Sequence, residues 1–352
     1  MRESSVILGL LFPILGLQTI SSAMTLQRFI TTSFLIFVST VASAQLAPRF
    51  SGDLWADLHY QDRASDQNMG FQVRRALLGV QADLLPQWSA QFSLIGATND
   101  DVYVNDAYIQ YLSPASSDLR LQFGRVKMPY YDFVEQSFSH RWAILGTQAE
   151  FRSFQRYRDE GVRADFAANE NLRLALMLRN GAENQVTGSA EDADLGWNGT
   201  LAWRSSPSIQ AQVMVDQQTR SEPLGIPALT TVLASIGLKN TTTSGLLEIN
   251  YQNSSPGNDV ASTDKMGFAL YGQYSLDGNL ESETDKGLLF SLLTGSKNYK
   301  EAAKESFRVS VGGYRKFSPH LRSAVQLFAY EGVKSTPGSG GAIVYWLWEA
   351  KF

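Results

Sequence analysis

The sequence predicts an all-β, transmembrane antiparallel barrel of about sixteen strands, and three observations carry that expectation. Beyond residue 45 the chain runs as short segments in which apolar and polar residues alternate with period two, the mark of half-buried strands. The connections between them sort by parity, mostly short after even-numbered segments and mostly longer after odd-numbered ones. The chain also ends inside such a segment: residues 342–352 read AIVYWLWEAKF, with Val344, Trp346, Trp348, Ala350 and Phe352 on one face and Tyr345, Glu349 and Lys351 on the other. Bulky rings on the apolar face suit a lipid interface. A terminal strand that would otherwise fray is held if it pairs with the first strand and closes a barrel. An edge strand of a soluble sandwich would show the same alternation, so the remainder of the chain has to decide.

Bulk composition is neutral on the question. The 352 residues are 44% apolar and 18% charged with net charge -4, and lipid-facing and water-facing positions average out in a barrel. The absence of cysteine removes disulfides, thiolate catalysis and the common zinc clusters, and no cofactor is expected. A mild acidic balance gives no reason to expect nucleic acid.

The N-terminus holds two apolar runs, residues 6–20 and 29–41, each shorter than the roughly 18 to 20 residues of a spanning helix. The second follows Met24 and Arg28 and precedes Ala42-Ser43-Ala44, the layout of a secretory signal with a small-residue cleavage site. Residues 1–44 are therefore expected to be an upstream extension plus a signal peptide. The natural start is Met24, cleavage falls after Ala44, and residues 45–352 form the exported barrel.

Taken in order, residues 50–60 open the barrel, with Phe50, Leu54, Ala56, Leu58 and Tyr60 opposed to Asp53, Trp55, Asp57 and His59. A polar stretch turns into 71–83, Pro86 marks a tight turn, and segments near 88–94, 102–112 and 119–123 follow. The next strand waits for about thirty residues, the longest gap in the exported part. Strand six is expected over 160–167. Strand seven has the clearest pattern, Leu172, Leu174, Leu176 and Leu178 against Arg173, Ala175, Met177 and Arg179. Strands eight and nine centre on Trp197–Trp203 and Ile209–Val215. The rest fall near 232–239, 245–252, 266–274, 287–294, 307–314, 321–330 and the closing strand, with weak alternation at 287–294.

Short gaps such as LLPQ, SPASS, AANEN, RSSPS, NTTT and FSP follow even strands. Longer ones, at 61–70, 128–159, 180–196, 218–231, 253–265, 295–305 and 331–341, follow odd strands; ATNDD is short on that side and 275–286 long on the other. Periplasmic turns and external loops would produce this sorting. Closure satisfies every backbone group within the wall and leaves no edge, and about sixteen strands leave room for a watered lumen.

The face opposite the leucines is then expected to line the passage. It carries Arg75, Arg120, Arg163, Arg173, Arg179, Arg308 and Arg322 together with Asp53, Asp57, Asp106, Asp165, Asp216, Glu248 and Glu349. Unpaired charges of both signs would cost several kcal/mol each in a dry core, which water or mutual pairing removes. The long third connection adds Tyr130, Tyr131, Phe133, Phe138, Trp142, Phe151, Phe154 and Tyr157 to Arg141, Arg152, Arg156, Arg158, Asp132, Glu135 and Glu150. So many aromatic side chains predict a loop folded back into the barrel, where its arginines would bias a constriction towards anions. An external flap on the rim or on a neighbouring subunit is the alternative.

The segments FGRVKMPYY at 123–131 and RDEGVRADF at 158–166 resemble the phosphate-selective porin O and P family of Gram-negative bacteria. The resemblance implies a sixteen-stranded, trimeric outer-membrane porin whose third loop forms the constriction, with outer-membrane lipid, small solutes or anions, and the barrel-assembly machinery acting through the C-terminal strand as its partners. Dense Arg and Lys rows underlie phosphate selectivity in that family. Here the inward arginines are interleaved with carboxylates, which argues against phosphate selectivity but not against a passive channel for small hydrophilic solutes. Two alternatives stay open, a plugged structural barrel and a barrel enzyme. For an enzyme, His59, His140 and His320 are too scattered to form a metal site, and Ser139 beside His140 is an adjacent pair with no further support.

Overall fold

The computed structural model describes residues 47–63, 66–97, 102–114, 118–138, 143, 157–180, 195–219, 228–255, 263–297, 305–331 and 341–352. The signal segment expected at residues 1–44 lies outside them.

Sixteen antiparallel strands close into a single barrel. They are β1 (Arg49–Arg63), β2 (Asp66–Leu85), β3 (Trp88–Ala97), β4 (Val102–Leu112), β5 (Leu119–Lys127), β6 (Arg158–Asn169), β7 (Leu172–Asn180) and β8 (Leu195–Ser206). The second half continues with β9 (Ile209–Gln218), β10 (Ala228–Lys239), β11 (Thr243–Ser255), β12 (Thr263–Ser275), β13 (Lys286–Lys297), β14 (Glu305–Ser318), β15 (Leu321–Glu331) and β16 (Gly341–Lys351). Among the described residues a helix, α1 (Pro129–Ser137), stands between β5 and β6. Each strand pairs with its sequence neighbours, and β16 pairs with β1 in the register Asp53↔Lys351 through Arg63↔Gly341. The Gly52 N–H donates to the carbonyl of Phe352 (2.9 Å) and the Phe352 N–H to that of Gly52 (3.1 Å), so the terminal residue is tied into the closure.

The apolar rows point outward. Leu174, Leu176 and Leu178 are exposed, as are Leu54, Leu58, Val325, Leu327, Val344 and Trp346. Exposed leucine on a closed wall is the surface that lipid covers.

Three expectations are corrected. The stretch 61–70 is not a long loop, because β1 and β2 stay paired out to Arg63↔Asp66, leaving residues 64–65 as the connection. Polar residues need not end a strand that projects beyond the membrane. Strand six begins at Arg158, so Arg158 belongs to the wall and not to the third loop.

The third correction concerns the interior, which is not lined by charge all the way round. Met177, Met214, Leu233, Leu246, Ala269, Tyr271, Leu289, Leu293 and Tyr314 are buried on the face opposite the exposed leucines and form one cluster with residues of α1. This explains the weak alternation of β13. Leu288 and Phe290 face outward while Leu289 and Leu293 face the cluster, so both faces are apolar and the period of two disappears.

Candidate functional site

The connection after β5 builds its helix from local rules. Pro129 occupies the first turn, where its missing N–H costs nothing, and Met128 before it is extended (φ -65°, ψ 138°). The base is pinned by the Met128 N–H donating to the carbonyl of Tyr157 (3.0 Å). Just upstream, Gly124 has φ +124°, and a Cβ there would collide with the carbonyl of Ala107, which accounts for glycine in FGRVK.

From this base α1 packs against β7 to β11. Pro129, Tyr130, Tyr131, Phe133, Val134 and Ser137 are all buried. The Tyr130 hydroxyl donates to Glu248 Oε1 (2.7 Å), Tyr271 donates to Glu248 Oε2 (2.8 Å), and Gln212 Nε2 donates to the Tyr130 carbonyl (3.1 Å). Burial, then the neighbouring Glu248, push the Tyr130 phenol well above its ordinary range, so it stays a donor. On β10 a Cβ on Gly237 would strike Ser137, so this glycine admits the end of the helix.

The acidic residues of the helix turn towards the wall beside it. Asp132 receives Lys127 (2.6 Å), Arg163 and, more distantly, Arg120 (3.7 Å). Glu135 receives Lys127 (2.8 Å) and the Tyr157 hydroxyl. Arg163 also donates to Asp165 (2.6 Å) and to the Lys127 carbonyl (2.8 Å). Burial alone would raise the Asp132 carboxyl, but Arg163 and Lys127 outweigh it and hold it at about 2.

That shift has a definite sign. A carboxyl depressed on folding from an ordinary value near ~3.9 contributes stability that is complete above about pH 4 and is lost as pH falls through about 2. Protease accessibility of the 128–157 connection should therefore rise between about pH 4 and 2 in the native chain. In Asp132→Asn the pH dependence should be weaker, and identical profiles would remove the role assigned to this carboxyl.

Across the barrel the wall is organised around arginines laid on rings. The register of β1 and β2 shifts between Trp55 and Ala56, where Trp55 opposes Arg75 and Ala56 opposes Val73. The extra residue, Arg74, lets two consecutive arginines face inward. Arg74 pairs with the fully buried Asp57, which also meets His59 Nδ1 (2.9 Å) and Gln72 Nε2 (3.1 Å). Arg74 lies 4.6 Å from the ring centre of Tyr345, Arg75 4.6 Å from that of Trp55, and Arg308 5.4 Å from that of Phe328. Arg75 also reaches Asp53 (3.3 Å), and Arg322 pairs with Glu349. The alternation put Arg75, Trp55 and Tyr345 on the inward face but not Arg74 or Phe328, and gave no sign that the guanidiniums lie over the rings. The phase slip between Phe71-Val73 and Ala76-Leu78 was the available signal.

Elsewhere the predicted wall residues pair across strands. Arg179 on β7 reaches Asp159 on β6 (2.8 Å) and Asp216 on β9 (2.7 Å), passing over Gly196 on β8, where a Cβ would sit 3.2 Å from the guanidinium carbon. Arg158 meets Asp106 (2.6 Å) beside Asn105 and Ser93, and Arg120 meets Asp165 (3.2 Å). Arg173 is exposed near the strand end. Arg141, Arg152, Arg156 and His140 lie outside the described residues. His320 sits in the β14–β15 turn, whose carbonyl accepts from Lys351 N–H (2.8 Å), strands away from the His59–Asp57 pair.

The long exception at the end carrying the chain termini is a structured connection. Leu280 is buried, its N–H donates to the Thr241 carbonyl (2.7 Å), and Lys316 donates to the carbonyls of Leu280 (2.5 Å) and Ser282 (3.3 Å). Asp285 accepts from Ser275 (2.6 Å) and Tyr314 (2.5 Å). Between this connection and the end of α1 lies a cavity of about 210 Å³ whose lining includes Lys239, Lys316 and Arg322 with Glu281.

With this geometry in place, the comparisons with known proteins are informative. The model of the phosphate-selective porin O and P family matches residues 49–140, which run from β1 through α1. Among solved structures the barrel is similar to the anion-selective porin from Comamonas acidovorans (TM-score 0.63, 14% identity, 87% of this chain and 100% of that one). The barrel is of porin type. It is also similar to Salmonella typhi OmpF in complex with daunomycin (TM-score 0.63, 10% identity, 87% and 97% covered) and to the outer-membrane-expressed OmpT of Vibrio cholerae (TM-score 0.61, 12% identity, 87% and 97% covered). No curated protein matches. At these identities the structural likeness establishes the fold, and the family match ties the strands before the helix to the resemblance read from FGRVKMPYY.

Proposed function

We propose that this porin is a passive diffusion channel for small hydrophilic solutes, with a preference for anions, in the outer membrane of a Gram-negative cell. The observation that carries the preference is the wall formed by β14 to β16, β1 and β2. There Arg74, Arg75 and Arg308 lie over Tyr345, Trp55 and Phe328, and Arg322 stands nearby. Guanidinium groups stacked on rings are held in place, and because Arg74, Arg75 and Arg322 also pair with Asp57, Asp53 and Glu349 the field they leave favours anions only weakly. The cavity with Lys239, Lys316 and Arg322 places further positive charge at the terminal end. An anion-selective porin among the structural neighbours supports the same reading.

In this proposal α1 and its connection narrow the lumen from the β7–β11 side, with Asp132 and Glu135 neutralised by Arg163 and Lys127 and with Arg141, Arg152 and Arg156 contributing cations. A homotrimer is supported by a trimeric form of OmpT from Vibrio cholerae among the similar structures. Residues 1–44 would direct export. The outward Trp346 and Trp348 with Phe352 would present the closing strand to the assembly machinery.

Planar-bilayer recording under a KCl gradient tests the proposal. The reversal potential should report anion preference, and a clear cation preference discards it. One observation favours a second reading, a plugged barrel: the apolar cluster formed by α1 with β7 to β14 fills part of the interior. A plugged barrel would give no steady open current in the same recording.

A further inference from the structure

The outer wall at the terminal end carries a cation, Arg315, that has no anionic partner among the described residues. On β14, Val311, Gly313, Arg315 and Phe317 alternate outward, and the register sets Arg315 beside Lys286 of β13. Lys286 has Asp277 as a partner (3.3 Å). Arg125, near the opposite rim, has Glu160 (4.0 Å). Arg315 has no ion pair among the described residues; its guanidinium lies 5.1 Å from the ring centre of Phe317. An unpaired guanidinium on a lipid-facing wall is costly unless it reaches headgroup anions.

Beside it is a groove of about 310 Å³. Its floor is shallow because Gly313 has no side chain and Ser323 a small one, and Trp346 Nε1 donates to Ser323 Oγ (2.8 Å). Trp346 and Trp348 lie together along one side, with ring centres 5.4 Å apart, and Phe317 stacks on Trp348 at 5.9 Å and 12°. One end is thus cationic and the remainder aromatic, the complement of a phosphodiester attached to an acyl chain.

We propose that this groove is a binding site for one glycerophospholipid of the adjoining leaflet, its phosphodiester on Arg315 and an acyl chain against Gly313 and the two tryptophans. The site rests on the membrane-embedded reading of the barrel. It is read without any current, so its failure leaves the channel proposal standing. The full chain, extracted in mild detergent, should retain one phospholipid per barrel in native mass spectrometry. Arg315→Ala should lower that occupancy about tenfold, the weight of one charge-assisted hydrogen bond, and Arg315→Lys should keep most of it. The heat-dependent gel shift of folded barrels verifies that each variant has closed. In nanodiscs of phosphatidylcholine doped with acyl-brominated phosphatidylglycerol, the native chain should lose more fluorescence than the Trp346→Phe, Trp348→Phe double variant. Equal retention in Arg315→Ala overturns the site. So does an unquenched Trp346 accompanied by cross-links between copies, which would assign the groove to a second copy of the chain.

Discussion

Replacing Tyr130 by Ala should detach α1 from the far wall and change the current through the barrel. Tyr130 is fully buried, touches Tyr131 edge-on at 5.6 Å and donates its hydroxyl to Glu248 across the interior. Truncating a buried aromatic side chain of this size costs about 3–5 kcal/mol. Most of that cost falls on the attachment of the helix, because closure of the barrel rests on strand pairing that Tyr130 does not join. The open-channel current should rise and flicker more. Tyr130→Phe, which keeps the ring and loses one hydrogen bond to a charged acceptor, should cost about 1.5–3 kcal/mol at most. Glu248 keeps the Tyr271 hydroxyl in that variant, so its current should stay close to native. A Tyr130→Ala channel with unaltered conductance would show that the helix does not limit the pore.

A comparable loss, this time in the wall, is expected from Arg179→Ala. One guanidinium joins Asp159 and Asp216, carried by strands on either side of β7 and β8, and all three side chains are buried. Removing the shared cation leaves two carboxylates facing each other in a dry site, a loss of about 3–5 kcal/mol. The urea midpoint of the reconstituted barrel should fall accordingly. Combining Arg179→Met with Asp159→Asn and Asp216→Asn should recover most of the loss, because the cost comes from uncompensated charge and not from missing volume. If Arg179→Ala unfolds at the native midpoint, the cluster is incidental to stability.

The wall was legible because a strand's environment repeats every two residues. The leucines of β7 and the closing rings of β16 each followed from local pattern and have their counterpart in the structure, and the parity of the connections holds apart from the short β1–β2 connection, the short ATNDD gap and the long β12–β13 one. Alternation failed wherever both faces of a strand met apolar surroundings. In β13, Leu289 and Leu293 face α1 and its neighbours while Leu288 and Phe290 face outward, so the sequence there carries no phase. Bulges failed for a related reason: Arg74 and Asn105 each insert one residue, and an assumed strict period assigns such a residue to the wrong face.

The candidate site was legible only in composition. Clustered aromatic residues after FGRVK pointed to a connection that does not lie free in water, but the helix that Pro129 begins was not expected, because nine residues are too short to show a helical period. The partners could not be named in advance. Tyr130 and Glu248 are separated by 118 positions along the chain, and Arg163 and Asp132 by 31. Strand identity and facing depend on neighbours one or two residues away, so they are written locally. Which inward charge meets which, and where the interior is dry, depends on the curvature and register of a closed wall, and those arise only when β16 has found β1.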